Sequence, residues 1–230
     1  MSLFVIGDTH LSMSPNIDKP MDKFGDNWIR HYEKIEKNWK DTVSEDDTVI
    51  VAGDISWGLD MKDVMYDLEW IENLPGKKIM IKGNHDIWWQ KITMLNSLFD
   101  DMTFIQNTSV ELEDCVICGT RGWECPGSFH YDPEKDEKIY LREALRLEQS
   151  INSSSSDKEK ICILHYPPTN EKMEDSLFTD IFRKYGIRTV AYGHLHTGRK
   201  YRFGLKGEVD GVNYHLVSAD YLDFCPKKLR

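Results

Sequence analysis

The sequence lacks any long apolar run. No stretch of its 230 residues approaches the roughly 18 to 20 apolar residues that a membrane-spanning helix requires. The opening segment, MSLFVIGDTH, passes from a short apolar run directly into polar residues, so we expect no signal peptide. Both observations argue against membrane insertion and export, and we predict a cytoplasmic protein.

Cysteine is scarce. The five cysteines are an odd number at scattered positions, as expected of reduced thiols in a cytoplasm. Cys115 and Cys118 form a C-x-x-C motif, but their surroundings, VELEDCVICGT, are typical of paired strands and no second such pair exists. A structural role is therefore favoured over redox chemistry or zinc binding.

Positive charge is also in short supply. Lys and Arg number 29 against 39 Asp and Glu, which gives a formal net charge of −10. Such a chain has no broad basic surface, so nucleic acid is disfavoured as a partner and a membrane is not expected. An anionic substrate would need a local positive site. The length and the 40% hydrophobic content fit a single globular domain over residues 1–230.

Five short strand-like runs end in a polar residue. The runs are LFVIG, TVIVAG, KIMIKG, ICIL and TVAYG, and the residues that follow them are Asp8, Asp54, Asn84, His165 and His194. Helical patterns lie between these runs, and strands that alternate with helices predict an α/β fold. Ligands of such folds bind beyond the carboxyl ends of the strands, where these polar residues would lie.

Other segments refine this topology. Apolar residues spaced by three or four positions predict helices, with Asp60 as one N-cap. Residues 104–123 suggest two or three consecutive strands, and Asp210-Gly211 suggests a hairpin, so the sheet arrangement must be mixed. The predicted helices cover about residues 28–43, 61–71, 87–98 and 140–151.

The predicted strand ends concentrate side chains that bind metals, including five of the eight histidines. Asp8 and His10 are two positions apart, so strand alternation would let both converge on one ion, together with His194 or His196 from another strand. Carboxylate, amide oxygen and imidazole suit Mn, Fe or Zn. The donors exceed the needs of one tetrahedral ion, whereas two ions with a bridging carboxylate would use them all. The candidates are Asp8, His10, Asp54, Asn84, His165, His194 and His196.

Five motifs therefore stand in order along the chain: GDTH at 7–10, GD at 53–54, GNHD at 83–86, His165, and GHLH at 193–196. In type and order they resemble the calcineurin-like metallophosphoesterases. One such motif would be weak evidence, but five in order are specific. The resemblance implies two mixed β-sheets packed as a sandwich and flanked by helices, the four-layer metallophosphoesterase architecture, with a dinuclear site at one edge.

The same resemblance implies which residues hold each of two metal ions, with Asp54 bridging. One ion would take Asp8, His10, Asp54 and His196, and the other would take Asp54, Asn84, His165 and His194. Two divalent ions against two carboxylates and a bridging hydroxide leave about one net positive charge, which would attract an anionic substrate. Because such ions lower the pKa of bound water, we expect a metal-bridging hydroxide as the nucleophile.

His85 and Asp86 complete the implied active site. His85 would donate a proton to the leaving oxygen or stabilise the phosphoryl group, and Asp86 would orient its ring. We therefore predict a phosphatase or phosphodiesterase acting on small phosphorylated substrates. A non-catalytic metal-binding scaffold and a nuclease stay as alternatives. The segment ISWGLD after Asp54 lacks the phosphate-binding arginine of the family's phosphoprotein phosphatases, which disfavours that activity.

Other residues near the motifs have open roles. Arg121 could bind a substrate phosphate, although a surface salt bridge is equally compatible with the sequence. Trp57, Trp88 and Trp89 could stack on an aromatic leaving group, although packing is favoured. Residues 122–150 could form a cap over the site.

Three histidines lie outside the motifs, namely His31, His130 and His215. A lone histidine more often has a structural role, and that role is expected for each of them. His31 is predicted to lie on the polar side of its helix.

Overall fold

Two β-sheets form the centre of the molecule, and the computed structural model describes all residues 1–230. The strands are β1 (Leu3–Ile6), β2 (Thr48–Ala52), β3 (Lys77–Ile81), β4 (Met102–Ile105), β5 (Ser109–Glu111), β6 (Cys115–Thr120), β7 (Glu159–Leu164), β8 (Thr189–Tyr192), β9 (Gly207–Val209), β10 (Val212–Leu216) and β11 (Lys227–Lys228). The helices are α1 (His31–Thr42), α2 (Met61–Glu72), α3 (Ile92–Leu95), α4 (Pro133–Asn152) and α5 (Leu177–Tyr185). Short 3-10 helices cover Met21–Phe24, Asp26–Trp28 and Tyr201–Phe203. None of the helices has the length and apolar character needed to cross a membrane.

The first sheet has the order β11-β1-β2-β3-β4. Strands β1 to β4 are parallel to one another, and β11 adds an antiparallel edge. Strands β1 and β2 are buried along their whole length. Burial of a parallel strand on both faces favours apolar residues at every position, which explains why these runs lack strict alternation.

The second sheet has the order β5-β6-β7-β8-β10-β9. Its four central strands are parallel, and β5 and β9 pair antiparallel at the two edges. The predicted hairpin at Asp210-Gly211 is confirmed, since it joins β9 to β10. The predicted run of consecutive strands is also confirmed as β4, β5 and β6.

The two sheets pack face to face, with helices outside both. Side chains such as Val5 and Ile50 of the first sheet share one buried cluster with Ile117 and Ile163 of the second. Helices α1 and α2 cover the outer face of the first sheet, and α4 and α5 cover that of the second. The predicted sandwich of two mixed sheets flanked by helices is therefore confirmed.

The C-x-x-C motif follows the alternation of β6. Cys115 belongs to the cluster between the sheets, whereas Cys118 belongs to the cluster beneath α4 and α5. Both thiols are buried, and burial raises the pKa of each. Because they point to opposite faces, they pack separately, as the structural interpretation expects.

Two local predictions are wrong. The helix expected at 87–98 shrinks to α3, because the side chains of Trp88 and Trp89 turn into the core and hold the preceding segment in turns. His31 lies on the buried side of α1, with its Nε2 atom 3.1 Å from the carbonyl oxygen of Thr9. Its role is nevertheless structural, and burial lowers its pKa.

Candidate metal centre

The polar residues that follow the central strands meet at one rim of the sandwich. An isolated bridge between Gly7 and Ser218 joins the ends of β1 and β10, so the two sheets come together there. Parallel strands deliver their carboxyl ends to one edge, and this rim collects residues from both sheets. The first sheet contributes Asp8, His10, Asp54 and Asn84, and the second contributes His165, His194 and His196.

Four of these residues have left-handed backbone conformations. The φ angles are 57° at Asp8, 44° at His10, 50° at Asp54 and 70° at His194. Such conformations are costly for residues other than glycine, and they are concentrated at functional sites. Strand alternation was expected to bring Asp8 and His10 together, but β1 ends at Ile6. Sharp turns after the strand, not alternation, bring the two side chains together.

Glycines precede the donors because the opposing chains approach closely. A methyl group on Gly83 would overlap the backbone nitrogen and carboxylate of Asp54. A methyl group on Gly193 would overlap the carboxylate of Asp8. The glycines of the GNHD and GHLH motifs therefore leave room for carboxylates that come from other strands.

The first donor group consists of Asp8, His10 and His196, whose potential ligand atoms all lie within 4.8 Å of one another. His196 Nε2 is 3.1 Å from Asp8 Oδ1 and 3.2 Å from His10 Nε2. Asp8 and His10 are buried, whereas the His196 side chain is 22% exposed. The ligand atoms of these three residues thus converge on one place, which is reached from outside past the partly exposed His196 imidazole.

The second donor group consists of Asp54, His165 and His194, whose potential ligand atoms also lie within 4.8 Å of one another. Asn84 Oδ1 joins them, 2.8 Å from His165 Nε2 and 3.0 Å from His194 Nδ1. Asp54 Oδ2 is 3.4 Å from His165 Nε2 and 3.8 Å from His10 Nε2. Asp54 therefore faces both groups, and the two lie side by side.

Two of the imidazoles are electrically neutral. Burial lowers the pKa of His10 and of His194 to about 3. Burial acts in the opposite sense on Asp8 and Asp54, but the neighbouring histidines outweigh it and lower the pKa of both carboxyls, to about 2 at Asp8. The carboxylates stay ionised, and the neutral rings offer lone pairs.

The other two imidazoles are stabilised as cations. Burial would lower the pKa of His165, but Asp54 and Asp8 raise it to about 9. For His196, Asp8 and Asp220 likewise overcome burial and raise the pKa to about 10. The buried carboxylates therefore create a site at which positive charge is strongly favoured.

Comparison with known proteins agrees with this geometry. The family model for calcineurin-like phosphoesterases matches residues 1–198, a stretch that contains both donor groups and Asn84. The chain belongs to the calcineurin-like phosphoesterase family. The family assigns metal-dependent phosphoester hydrolysis in general terms and leaves the substrate open.

Individual relatives of this chain are distant or cover little of it. Gene 66 protein of Mycobacterium phage L5 is 45% identical over 56 residues, which make up 24% of this chain and 27% of that protein. The phosphopantetheinyl hydrolase of Mycobacterium tuberculosis aligns over 99% of this chain and 95% of its own, with a TM-score of 0.59 and 14% identity. A protein of unknown function from Aquifex aeolicus aligns over the same shares, with a TM-score of 0.55 and 18% identity. At these identities the two solved structures support the fold alone.

Asp220 is a functional candidate that the sequence analysis missed. Its Oδ1 atom accepts a hydrogen bond of 2.9 Å from His196 Nδ1, and its Oδ2 atom accepts one of 3.1 Å from the Thr197 backbone. This carboxylate fixes the His196 ring with Nε2 towards Asp8. Asp220 lies four residues beyond β10. A polar residue shortly after a strand was therefore the available signal, but no glycine precedes it.

The second donor group has its own outer partners. His165 Nδ1 lies 3.0 Å from the Ala52 carbonyl oxygen. His194 Nε2 is 3.9 Å from Glu124 Oε1, and the Tyr166 ring lies against the His194 ring at a centroid distance of 4.2 Å. Glu124 was also missed, since it lies in a loop after β6 with no motif around it.

His10 is supported by aromatic packing. The Trp57 ring stacks on it at a centroid distance of 4.9 Å and an angle of 17°. Trp57 also lies 4.4 Å from the ring of His85. Trp88 and Trp89 are buried in the core, so of the three tryptophans near the motifs Trp57 is the one that packs against the site imidazoles.

The role expected of Asp86 is wrong in one respect, because its carboxylate does not orient the His85 ring. It accepts backbone hydrogen bonds from Ile55, Ser56 and Gly83, at 2.9, 3.3 and 2.7 Å, and an indole hydrogen bond from Trp88 at 3.2 Å. Burial and the neighbouring Asp54 raise its pKa to about 7. Asp86 thus fixes the loops that carry Asp54 and Asn84.

Arg121 forms a buried ion pair, not one at the surface. Its side chain is 15% exposed, and Nη2 lies 3.4 Å from Oε1 of the fully buried Glu143. Its guanidinium also lies over the Trp123 ring, 4.4 Å from the centroid. A phosphate contact by Arg121 stays a prediction, because its guanidinium faces α4 in this structure.

Residues 122–150 divide into two parts. Helix α4 packs on the second sheet as part of the outer layer. The preceding loop lines a cleft beside His194 with Glu124 and Phe129. A capping function for this segment stays a prediction.

Proposed function

We propose that this phosphoesterase hydrolyses phosphomonoesters or phosphodiesters of small molecules at a centre that holds two metal ions, with Mn, Fe or Zn as the candidates. One observation carries the proposal: two compact donor groups lie side by side, with Asp54 facing both. The structural neighbour named phosphopantetheinyl hydrolase is compatible with this chemistry.

The donor set fits such ions. Its oxygen and imidazole nitrogen atoms are ligands that these metals accept, and the cysteine thiols lie outside both groups. His10 and His196 direct ring nitrogens at each other across 3.2 Å beside the Asp8 carboxylate, and a shared cation would stabilise that arrangement. We assign one ion to Asp8, His10, Asp54 and His196, and the other to Asp54, Asn84, His165 and His194.

The bound ions would supply charge neutralisation at the phosphoryl group and an activated water molecule as the nucleophile. The protein holds the donors in place before substrate arrives. The backbone nitrogen of His194 donates to Asp8 Oδ2 at 3.0 Å, and that of His85 donates to Asp54 Oδ1 at 2.8 Å. Each carboxylate is thereby anchored by a segment that itself carries a site residue.

His85 is the side chain suited to the departing oxygen. Its imidazole is 44% exposed, with Nε2 4.0 Å from Asp54 Oδ2. Burial lowers its pKa, with partial opposition from Asp54, which favours the neutral ring with one N–H. This N–H can donate a hydrogen bond to the phosphoryl or leaving oxygen as negative charge develops there.

Removal of metal tests the proposal. Chelator-treated protein should hydrolyse p-nitrophenyl phosphate and bis(p-nitrophenyl) phosphate at least about 10³-fold more slowly, because several kcal/mol of charge stabilisation are lost. Addition of Mn, Fe, Zn or Mg in turn should restore activity and identify the productive metal. Circular dichroism of the treated protein controls for unfolding. Hydrolysis at the same rate by the folded metal-free and metal-loaded proteins would refute the proposal.

A further inference from the structure

A cleft opens beside the second donor group, and His194 forms part of its wall. Three loops line it: the one between β6 and α4, the one after β7, and the one after β8. A phosphoester held at the metal centre could extend its organic part into this cleft. The side chains of the cleft should therefore influence which phosphoesters are substrates, and so which alcohol is released.

Aromatic rings form part of the cleft. Tyr166 packs against His194 at its inner end, and Phe129 and Phe203 make an edge-to-face pair, with centroids 6.1 Å apart at an angle of 89°. Phe129 is 71% exposed, the highest value among the large hydrophobic side chains of the molecule. Its backbone nitrogen is nevertheless anchored by the Glu171 carboxylate, at 3.2 and 3.3 Å. Phe129 therefore adds an exposed phenyl ring, fixed at its backbone, to the lining of the cleft.

Carboxylates occupy the interior of the cleft, and basic groups occupy its rim. Glu124 and Glu171 are half-buried, whereas Lys200 and His130 are exposed. Charges that are partly shielded from water act more strongly than exposed ones, so the carboxylates dominate the field inside. A second phosphate or another anion on the organic part of the substrate would be repelled.

Carboxylates next to aromatic faces form an environment that selects organic cations. The Phe203 ring already pairs with a cation, since the Arg202 guanidinium lies 4.8 Å from its centroid, and the exposed Phe129 ring is the one left open to a ligand. We propose that the cleft binds a primary or quaternary ammonium group on the alcohol part of the phosphoester. The inference rests on the proposed function, since it names the substrate class of that site.

Binding of choline to the metal-loaded protein tests this inference without any turnover. The comparison ligand is 3,3-dimethylbutanol, which has the shape of choline without its charge. Titration followed by NMR or calorimetry should show choline binding at least about tenfold more tightly, because a partly desolvated cation–π and carboxylate contact contributes about 1.4 kcal/mol or more. Equal affinity for the two alcohols, or no binding of choline, would overturn the inference.

Variants locate the binding site. Glu171→Gln and Phe129→Ala should each lower the choline affinity by about threefold to tenfold. Glu36→Gln on α1 and Tyr66→Ala on α2 remove the same kinds of group outside the cleft and should leave choline affinity unchanged. Loss of affinity in the controls as well, or none in the cleft variants, would place the choline elsewhere and overturn the inference.

Turnover separates this inference from the proposed function. The ratio of kcat/KM for phosphorylcholine to kcat/KM for 3,3-dimethylbutyl phosphate should be lower in the cleft variants than in wild type. The intrinsic reactivity of each ester is the same for both enzymes, so it cancels in this comparison. Hydrolysis of both esters with an unchanged ratio would refute the ammonium site and leave the hydrolase intact. Choline binding without hydrolysis of any phosphoester would refute the hydrolase and leave the ammonium site intact.

Discussion

The two donor groups contain the same kinds of side chain but have different surroundings. In the first group, Trp57 stacks on His10, and the Trp28 ring lies edge-on to both His10 and His196, with centroids 6.0 and 5.6 Å away. The second group is bordered by Tyr166 and by the carboxylate-lined cleft. One side is enclosed by indole rings, and the other opens towards space that a ligand can fill.

This contrast separates two tasks that the centre must perform. Packed indoles hold the rings of the first group in place by shape, and they leave His85 as the exposed imidazole on that side. The second group relies on polar partners and borders the cleft. We infer that the phosphoryl group spans both groups, while the organic part of the substrate extends from the second.

The largest expected effect is on kcat and concerns His85, which lies on the side of the first donor group. His85→Ala should lower kcat by about 10² to 10⁴ while both metal ions are retained, because we propose that His85 donates to the reacting oxygens and it lies outside both donor groups. Steady-state kinetics with metal analysis checks both parts. His215→Ala, a histidine on β10, is the matched control and should keep normal kcat.

Unchanged turnover in His85→Ala would remove this residue from the mechanism. Loss of metal along with activity would instead make His85 part of the metal site. Either result would erase the functional difference between the two sides.

A smaller effect should distinguish the outer partners of the two groups. Asp220→Asn should weaken metal binding by about 10-fold to 100-fold, because it removes the charge on the acceptor that orients His196. Glu124→Gln should weaken it less, because Glu124 Oε1 lies 3.9 Å from His194 Nε2, beyond hydrogen-bond distance. Competition against a chelator measures both, with the exposed-loop variant Asp223→Asn as control.

Equal losses in these two variants would show that the distance difference has no energetic consequence. A larger loss for Glu124→Gln would reverse the comparison, since the open side would then hold its ion more tightly through its outer partner.

The donors were predictable from sequence because each follows a strand in a short motif. Asp8, Asp54 and His165 follow apolar runs, and parallel strands necessarily bring such ends to one edge. Asp220 and Glu124 act on the site through the folded positions of loops. No motif specifies those positions, and the one signal for Asp220, a polar residue shortly after β10, lacks the preceding glycine that marks several of the donors.

The incorrect predictions have a similar origin. The helix expected from residue 87 requires regular backbone where Trp88 turns into the core and Asp86 accepts hydrogen bonds from Gly83 and Ile55. These tertiary contacts outweigh local helix propensity. The burial of His31 likewise depends on the carbonyl of Thr9, which lies 22 positions away in the chain.

A third effect, on stability, concerns the support behind the first group. Asp67 accepts a hydrogen bond from the Ser56 hydroxyl and one of 2.7 Å from the Met13 backbone, so it holds the segment that leads into Trp57. Burial raises its pKa to about 6 from the ordinary value of 3.8. Between these values the folded protein binds more protons than the unfolded chain, so this group makes stability fall as the pH rises from about 4 to 6.

Asp67→Asn should remove that component, which amounts to roughly 2 to 3 kcal/mol across the window. Urea unfolding of the metal-free wild type and variant at several pH values measures it, because the difference between their free energies of unfolding should change with pH. Asp46→Asn, at an exposed position, is the control. A difference between the two free energies of unfolding that stays constant from about pH 4 to pH 6 would mean that Asp67 has the same pKa in the folded and unfolded states. The second group has a related support, because Asp86 holds the loops that carry Asp54 and Asn84 and burial raises its pKa to about 7, so part of the pH dependence should remain in Asp67→Asn.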